Sequence, residues 1–586
     1  MRIRLCRRAR DEGGYFIVFA ALFMTCLLGF AALAIDTSHW YLQAQRAQRA
    51  ADTAALAGVV RMPGDATGAT TVAKATANGN GYTDAEIAVA PVANHPNQLQ
   101  VTVTHTVTNF FGSFLNRNSE TISRTAIAEY QGPVPMGSPL NGMGNQPKLQ
   151  CDPTKAPYTD PVVQAACLAA RDLDVVDTSS QGQYWLNVNA PLRDKGTGDA
   201  YQSAACAGTG ANTGCSSSSS PPNQDYRDNG YLYRVNVKTT GGLMRLDLYD
   251  PAWINTDDTC GTNMAGASTI SPALVPDAAE RYASGSNPFC NGDNESGSGT
   301  ELNYAMVTTY VVRAPDSTPW TDTDNPVVCT QQYGGYDGAL AAALTPGNAA
   351  YNTTTVSTYA NGTSGTAKIS DLFHRWVKLC DLNTTTYGTG DYIVQIKSNA
   401  PLGFPLNTDL TLHGLGANRF AIRSYFTPSN TKTGISMSAN GALGIYANAT
   451  GANTTFYLAR VMPSSAGRQL NLHFYDTGDA PSPGTLSILG PGAGNPPPSN
   501  CQYTSGPSGA DLTALSTLCQ VGNISSSIMN GKWMTLSFQI PNNYSCDPTD
   551  EFDCWYRVRL NFPSGTPTDT TSWAADLDGD PVRLIK

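Results

Sequence analysis

Three aspartates near the end of the chain alternate in a pattern that could bind a metal ion. They are Asp576, Asp578 and Asp580, in the string Asp-Leu-Asp-Gly-Asp. Alternate carboxylates can face one point, and calcium prefers such oxygen ligands. The string does not match an EF-hand loop, because no bidentate Glu follows at the twelfth position. Two interpretations stay open: a calcium site and, favoured here, an acidic turn that leads into a last apolar strand.

The residues that usually carry hydrolytic chemistry show no catalytic spacing in this sequence. The six histidines form no HExxH motif or other close pair, which argues against a zinc hydrolase. No GxSxG string offers a serine nucleophile, and paired cysteines would leave no thiolate. A glycosidase stays open as a lesser alternative, since two carboxylates that meet across a sandwich need no fixed spacing. We therefore expect a protein that is not an enzyme and, calcium apart, uses no cofactor.

The cysteines beyond the N-terminal apolar segment form an even set without CxxC spacing. The chain has 14 cysteines, and setting aside Cys6 and Cys26 leaves twelve. In an oxidising compartment such a set predicts disulfides, and we expect neighbours along the chain to pair, with free thiols as the alternative. The candidates are Cys151, Cys167, Cys206, Cys215, Cys260, Cys290, Cys329, Cys380, Cys501, Cys519, Cys546 and Cys554.

The composition excludes one class of partner and favours β-structure. Acidic residues outnumber basic ones, 46 to 36, and no basic stretch occurs beyond the N-terminal arginines. Nucleic acid needs such a stretch to neutralise its phosphates, so we exclude it as a partner. Charged residues make up only 14% of the 586-residue chain, while Gly, Pro, Ser, Thr, Asn and Tyr are plentiful. This balance predicts short strands joined by tight turns, in several domains.

An apolar run from Tyr15 to Ile35 is long enough to cross a bilayer as one helix. Five arginines lie in residues 1–14, and clustered Arg holds its flank in the cytoplasm. Trp40 and Tyr41 follow the run, where interfacial aromatics anchor a spanning helix. We predict a cytoplasmic tail (1–14), a transmembrane helix in contact with the lipid bilayer (15–35) and an extracytoplasmic remainder. The alternative is a cleaved secretory signal, for which Ala31–Ala34 would supply the small residues.

The segment from Gly13 to Gly58 carries several distinctive features in a fixed order. They are the small-residue exit of the apolar run, an Ala-Ile-Asp string ending at Asp36, the aromatic pair, a Gln/Arg/Ala helix and a closing Ala-Ala-Asp-Thr-Ala-Ala-Leu-Ala-Gly. With these features the segment resembles the N-terminal domain of TadG-like proteins of Flp (Tad) pilus assembly. The resemblance implies a bacterial cell-membrane protein whose partners include the Tad pilus machinery.

The sequence pattern of residues 36–131 predicts a small membrane-proximal α+β module that resembles a pilin in outline. The first helix continues out of the membrane, and a second helical stretch covers Ala69 to Ala77. Two stretches, Gln98 to Val107 and Glu120 to Ala128, alternate apolar and polar residues as half-buried strands do. The next residues, 132–150, are dense in Pro and Gly and almost uncharged, which predicts a semi-extended linker.

An internal repeat occupies the rest of the chain. Tyr231–Asp250 matches Tyr457–Asp476 without a gap. The other aligned segments are Tyr184–Val188 with Arg419–Arg423, Val328–Cys329 with Asn500–Cys501, Trp376–Leu379 with Trp533–Leu536, and Tyr392–Ile396 with Tyr556–Leu560. Each copy offers about eight short alternating segments, the pattern of an antiparallel β-sandwich. We predict two tandem jelly-roll-like sandwiches, at 151–405 and 406–586.

Two functions from different classes remain. The resemblance favours an assembly role, with the sandwiches as scaffold or contact domains beside the pilus machinery. The long loops of the first copy favour a surface adhesin that binds a cell-wall glycan or a partner protein, because loops on rigid scaffolds often bind ligands. The aligned Trp376 and Trp533 could stack on such a sugar, although tryptophan in an alternating strand is more often part of the core.

Overall fold

The computed structural model forms two compact units, residues 1–131 with 580–586, and residues 132–579. The residues that it describes are 13–62, 65–93, 95–145, 159–171, 184–206, 222–240, 242–255, 293–295, 306–316, 318, 321–336, 353–373, 375–398, 403, 414–448, 453–479, 482–491, 498, 500–505, 513–514, 519–563, 568–579 and 581–585.

The helices are α1 (Gly13–Val59), α2 (Ala66–Gly79), α3 (Pro161–Arg171), α4 (Ile369–Leu372), α5 (Thr384–Tyr387) and α6 (Ser526–Met529). The strands are β1 (Ile87–Val92), β2 (His95–Thr108), β3 (Ser119–Tyr130), β4 (Pro135–Met136), β5 (Gly142–Met143), β6 (Tyr184–Asn189), β7 (Tyr231–Val237), β8 (Leu243–Tyr249), β9 (Asn294–Glu295), β10 (Val307–Arg313), β11 (Val327–Gly334), β12 (Thr355–Ala360), β13 (Thr363–Lys368), β14 (Trp376–Asn383), β15 (Gly390–Lys397), β16 (Gly416–Thr427), β17 (Ile435–Asn440), β18 (Leu443–Asn448), β19 (Asn453–Arg460), β20 (Gln469–Tyr475), β21 (Gly484–Leu489), β22 (Gln502–Ser505), β23 (Thr513–Ala514), β24 (Gln520–Ile524), β25 (Trp533–Gln539), β26 (Trp555–Asn561), β27 (Thr568–Leu577) and β28 (Val582–Leu584).

The first unit is a long helix packed on a four-stranded antiparallel sheet, with strand order β1-β2-β3-β28. The second half of α1 buries one face of small side chains at a spacing of three or four residues, which is one side of a helix. These residues are Ala47, Ala50, Ala51, Ala54, Ala55 and Val59. They meet Ala69, Ala73 and Ala77 of α2 and the apolar face of β2. The predicted second helix and both predicted strands are therefore present.

Gly58 allows α1 to approach its neighbours closely. A Cβ added at this position would lie 2.7 Å from the carbonyl oxygen of Ala69 and 2.7 Å from Cδ2 of Leu99. The carbonyl belongs to the backbone of α2, so it could not move aside without shifting that helix. The glycine that closes the Ala-rich string of the sequence is thus explained by packing.

The last strand of the chain belongs to the first unit. In β28, Val582 pairs with Tyr130 and Leu584 pairs with Ala128 of β3. The prediction that the second sandwich extends to residue 586 is therefore wrong, because this strand finds its hydrogen-bonding partner in the membrane-proximal sheet. As a result, residues 132–579 are an insertion between β3 and β28.

The second unit is built from two large antiparallel sheets that enclose one apolar core. One sheet runs β13-β12-β11-β10-β15-β7-β17-β4-β19-β26-β21-β24, and the other runs β14-β8-β16-β6-β18-β27-β20-β25-β22-β23. The order β11-β10-β15-β7 recurs as β24-β21-β26-β19, and β14-β8-β16 recurs as β25-β20-β27. The predicted fold class, two tandem antiparallel sandwiches after an apolar helix, is confirmed.

The structure places the boundary between the copies later in the chain than the predicted residue 405. Strand β16 pairs with β8, and β17 pairs with β7, so both complete the first copy. The second copy begins at β18, which pairs with β27. The alignment of Tyr184–Val188 with Arg419–Arg423 is also wrong, because these segments are neighbouring strands in which Leu186 faces Phe420. Similar strand patterns cannot distinguish an equivalent strand from an adjacent one.

The predicted linker is part of the sandwich as far as the structure describes it. Met136 of β4 and Met143 of β5 are fully buried, and Val134 joins the same core. Strand β4 pairs with β17 of the first copy and β19 of the second, and so joins the copies within one sheet. The apolar residues between the prolines and glycines decide this outcome, because burying them outweighs the low strand propensity of their neighbours.

Three of the neighbouring cysteine pairs are disulfides in the structure. Their Cα atoms lie 6.3 Å apart in Cys329–Cys380, 5.1 Å apart in Cys501–Cys519 and 5.3 Å apart in Cys546–Cys554. Cys329–Cys380 joins β11 of one sheet to β14 of the other. Cys206 is also disulfide-bonded. The pairings predicted for Cys151, Cys167, Cys215, Cys260 and Cys290 lie outside the described residues or side chains, whereas Cys26 is a free, exposed thiol.

Candidate membrane-proximal site

The N-terminal half of α1 exposes a continuous apolar surface. Its side chains from Tyr15 to Ile35 are exposed on all sides, and this helix is long and apolar enough to cross a membrane. At 1.5 Å per residue, 21 residues span about 31 Å, close to the thickness of the hydrocarbon core. No charged residue interrupts the stretch, and Asp36 is the first to follow it.

Asp36 holds the loop that connects β2 to β3. Its carboxylate accepts hydrogen bonds from the backbone N–H groups of Phe110 (2.9 Å), Phe111 (3.1 Å) and Gly112 (2.7 Å). The side chain is only 3% exposed. The three converging N–H groups supply hydrogen-bond donors to the buried carboxylate. The carboxylate in turn accepts from the first N–H of the short helix Gly112–Leu115. The aspartate that ends the apolar run thus fixes a distant loop to the helix.

The next turn of α1 adds further contacts to the same loop. Nε1 of Trp40 donates to Oδ1 of Asn109 over 2.7 Å, and the His39 ring lies 4.8 Å from the Phe110 ring. The amide of Asn109 in turn donates to the carbonyl of Arg117 over 2.9 Å and closes the loop. Trp40, which the sequence marks as an interfacial anchor, therefore also acts as a structural contact.

The loop presents three phenylalanine side chains to the surroundings. Phe110 is 61% exposed, Phe111 40% and Phe114 87%. Sequence analysis did not identify them. The available signal was their position, because three aromatic residues within five occupy a hairpin connection where small polar residues are usual. We refer to residues 109–118 as the phenylalanine loop.

The aspartates predicted as metal ligands lie elsewhere, on the second sandwich. Asp576 and Asp578 both accept hydrogen bonds from the amide of Asn471, over 2.9 and 2.8 Å, and Asp576 also lies 2.6 Å from Nε2 of His473. Burial tends to raise the pKa of Asp576, but the hydrogen bonds from His473 and Asn471 outweigh it and lower the pKa. Asp580 lies outside the described residues.

The described part of the chain gathers no group of three or more His, Cys, Asp or Glu side chains able to hold a metal ion. Asp576 and Asp578 are exposed and already share an amide donor, which is what an acidic turn requires. Calcium binding by this string stays a prediction.

The two aligned tryptophans are half-buried in both copies. The guanidinium of Arg423 lies 3.9 Å from the ring centre of Trp376, whose edge meets Tyr249. In the second copy, Nε1 of Trp533 donates to Asp225 over 3.0 Å. These contacts engage one face of Trp376 and the polar edge of Trp533, in agreement with a packing role.

Comparisons with known proteins add one match that carries information. No curated protein matches the chain. Among solved structures, the N-terminal CBM22-1-CBM22-2 tandem domain of Paenibacillus barcinonensis Xyn10C aligns at 9% identity over 59% of this chain and 79% of that chain. The TM-score of 0.12 is too low to indicate a shared fold. A family model described as "Putative Flp pilus-assembly TadE/G-like" matches residues 14–62. The segment that forms the apolar helix and its packed continuation is thus similar to TadE/G-like proteins of Flp pilus assembly. This confirms the resemblance seen in the sequence.

Proposed function

We propose that this protein is a single-pass, membrane-anchored, non-catalytic component associated with Flp (Tad) pilus assembly. In this role residues 132–579 form an extracytoplasmic scaffold or contact domain. The observation that carries the proposal is the TadE/G-like match over residues 14–62, which covers the apolar span and also the part of α1 that builds the core of the membrane-proximal unit.

The charge and cysteine patterns support the orientation. The arginines of residues 1–14 favour a cytoplasmic N-terminus by the positive-inside rule. The disulfides Cys329–Cys380 and Cys546–Cys554 are of a kind that persists in oxidising compartments outside the cytoplasm. Both patterns support an orientation in which the bulk of the chain lies on the far side of the bacterial cell membrane.

The way the chain leaves and re-enters the first unit suits a load-bearing role. The backbone N–H of Gln131 donates to the carbonyl of Pro581 over 2.7 Å, so the two ends of the insertion meet at the edge of one sheet. Arg583 beside them pairs with the buried Glu129 over 2.7 Å. A force on the inserted domain would therefore reach β3 and β28 together, and through their shared core it would reach α1.

Deletion of the gene, with complementation by the full chain, tests this proposal. Surface filaments are counted by electron microscopy, and adhesion is measured on the same cells. Loss of filaments that returns on complementation supports the assembly role. Normal filaments with weakened adhesion would refute it and favour the alternative function, a surface adhesin for a glycan or partner protein.

Thiol labelling in spheroplasts tests the orientation separately. A membrane-impermeant maleimide should label Cys546 and Cys554 only after reduction, because a disulfide joins them. In the proposed topology this labelling should occur in intact spheroplasts. A variant with serine at both positions is the matched control for the labelled site. Labelling that requires lysis of the spheroplasts would place the sandwiches in the cytoplasm and contradict the proposed topology.

A further inference from the structure

The phenylalanine loop carries an unusual amount of exposed apolar surface. Phe110, Phe111 and Phe114 expose 61%, 40% and 87% of their surface. Exposing three neighbouring aromatic rings to water is unfavourable in free energy, because each ring has a large apolar surface that a partner could bury. Clustered exposed rings of this kind mark a contact with a protein or a membrane.

The position of the loop along α1 identifies the occupant. Asp36, which binds the loop amides, comes directly after Ile35, the last residue of the apolar run. Trp40, which binds Asn109, is four residues further on, a rise of about 6 Å along the helix. The interfacial layer of a bilayer extends roughly 5 to 7 Å beyond the hydrocarbon core on each side. The loop is therefore held at the depth of that layer.

The chemistry of the loop suits the same layer. Aromatic side chains concentrate at membrane interfaces, where their rings contact both acyl chains and headgroups. The one cation of the loop, Arg117, is paired with Glu120 over 3.1 Å, so the contact does not depend on anionic lipid. We infer that the phenylalanine loop inserts into the membrane interface beside the emerging helix and forms a second, non-spanning contact with lipid.

This contact would change what the anchor can do. A single helix leaves the attached unit free to rotate about the helix axis, whereas a second contact to one side of the helix fixes that rotation. The three hydrogen bonds to Asp36 make the loop rigid relative to the helix, so the membrane orients the whole first unit. The inference rests on the proposed membrane anchor and adds a defined orientation to it.

Depth-dependent fluorescence quenching of the full chain tests the inference. The protein carries Cys6→Ser, Cys26→Ser and one labelled cysteine, and it is reconstituted in phosphatidylcholine vesicles. With the label at Phe114→Cys, we expect spin-labelled lipid to quench the fluorescence strongly. We expect iodide to quench it several-fold less than it quenches the same label on a reference peptide in water without detergent. The result should persist at high salt, because the contact is apolar.

Two further label positions separate the failure of this inference from the failure of the anchor. Met24→Cys reports the span itself, and Ala93→Cys lies at the opposite end of the 14-residue strand β2, about 40 Å away. Lipid quenching at 24 and 114 but not at 93 supports both proposals. Quenching at 24 alone overturns the loop contact and leaves the anchor standing. Quenching at neither 24 nor 114 overturns both.

Substitutions within the loop test the chemistry of the contact. A variant with serine at Phe110 and Phe111, labelled at position 114, should lose most of its lipid quenching, whereas tryptophan at the same two positions should retain it. Helix content and the intact disulfides show that each variant is folded. Equal lipid quenching in the serine and tryptophan variants would contradict insertion driven by the rings.

Discussion

The replacement of Asp569 by asparagine should stabilise the second sandwich, and the first copy shows why. Asp569 lies three residues before Ser572, which pairs with Tyr475, and Asn418 lies three residues before Ala421, which pairs with Tyr249. Because the tyrosines are aligned in the repeat, Asp569 and Asn418 occupy equivalent positions. Both side chains are completely buried. The two copies therefore place a carboxyl group and an amide at the same site.

The surroundings of these two residues differ in hydrogen bonding. The amide of Asn418 donates to the carbonyl of Pro251 over 3.0 Å and to the hydroxyl of Thr308 over 2.8 Å. Asp569 accepts a bond from the N–H of Gly478 over 2.5 Å, and its Oδ1, like the Oδ1 of Asn418, has no hydrogen-bond partner among the described residues. Burial raises the pKa of Asp569 well above its ordinary value, and the charge of Asp479 raises it further.

The sign of the pH dependence follows from this raised pKa. An aspartate whose folded-state pKa is raised contributes its full stability below the unfolded value of about 3.9 and loses it as the pH rises through the folded value. Each pH unit in which only the unfolded chain is ionised costs about 1.4 kcal/mol. Asparagine does not titrate, so the advantage of Asp569→Asn over the natural chain should grow by about 1.4 kcal/mol for each pH unit in which only the unfolded natural chain is ionised.

Urea unfolding of the full chain in detergent, followed by tryptophan fluorescence from pH 4.5 to 7, measures this difference. A chelator is present throughout. Asp578→Asn is the matched control, because that carboxylate is exposed, and we expect a change within about 0.5 kcal/mol. If Asp569→Asn is less stable than the natural chain at every pH, the carboxyl group is ionised and favourably paired when folded, and the reasoning from burial is refuted.

Three further changes probe the anchor, the disulfides and the last strand. Asp36→Ala removes the acceptor of three N–H groups, so we expect the amides of the phenylalanine loop to exchange hydrogen about a hundredfold faster. This corresponds to a loss of about 3 kcal/mol in the free energy of opening the loop. Asp52→Ala on the same helix should leave the exchange unchanged. Unaltered exchange in Asp36→Ala would show that the loop is held by other contacts. Serine at both Cys329 and Cys380 should lower the free energy of unfolding of the first copy by about 3 kcal/mol in urea, and an unchanged midpoint would contradict a stabilising cross-link between the sheets. Arg583→Ala leaves a buried carboxylate of β3 without its cation, so limited proteolysis should release the C-terminus first, and a tail as resistant as in the natural chain would argue against the strand pairing.

The sequence predicts those parts of the fold that depend on local patterns. The long helix follows from its apolar run and its Ala-rich continuation, and β2 and β3 follow from strict alternation of apolar and polar residues. The pairing of Cys546 with Cys554 follows from proximity along the chain. In each case the decisive interactions lie within one element or between neighbours, so a pattern in the sequence contains them.

The parts that the sequence did not predict depend on partners far along the chain. Strand β28 has three residues, and nothing in Val582–Leu584 indicates that they pair with β3 rather than with a sandwich. Met136 and Met143 lie among prolines and glycines, and only the finished sandwich provides the core that buries them. The role of Asp36 depends on a loop more than seventy residues away, so the residue is recognisable in the sequence but its function is not.

The extent of the family match has a structural reason. The match runs past the apolar span to residue 62, and the buried residues of α1 continue through Val59 to the buried Met62. Because one helix is both the lipid-facing span and the core of the first unit, a substitution in its alanine face would disturb the folded unit and the anchor together. A plain membrane tether imposes no such constraint beyond its span. The small residues from Ala47 to Gly58 are therefore best understood as the surface on which a sheet and a second helix assemble next to the membrane.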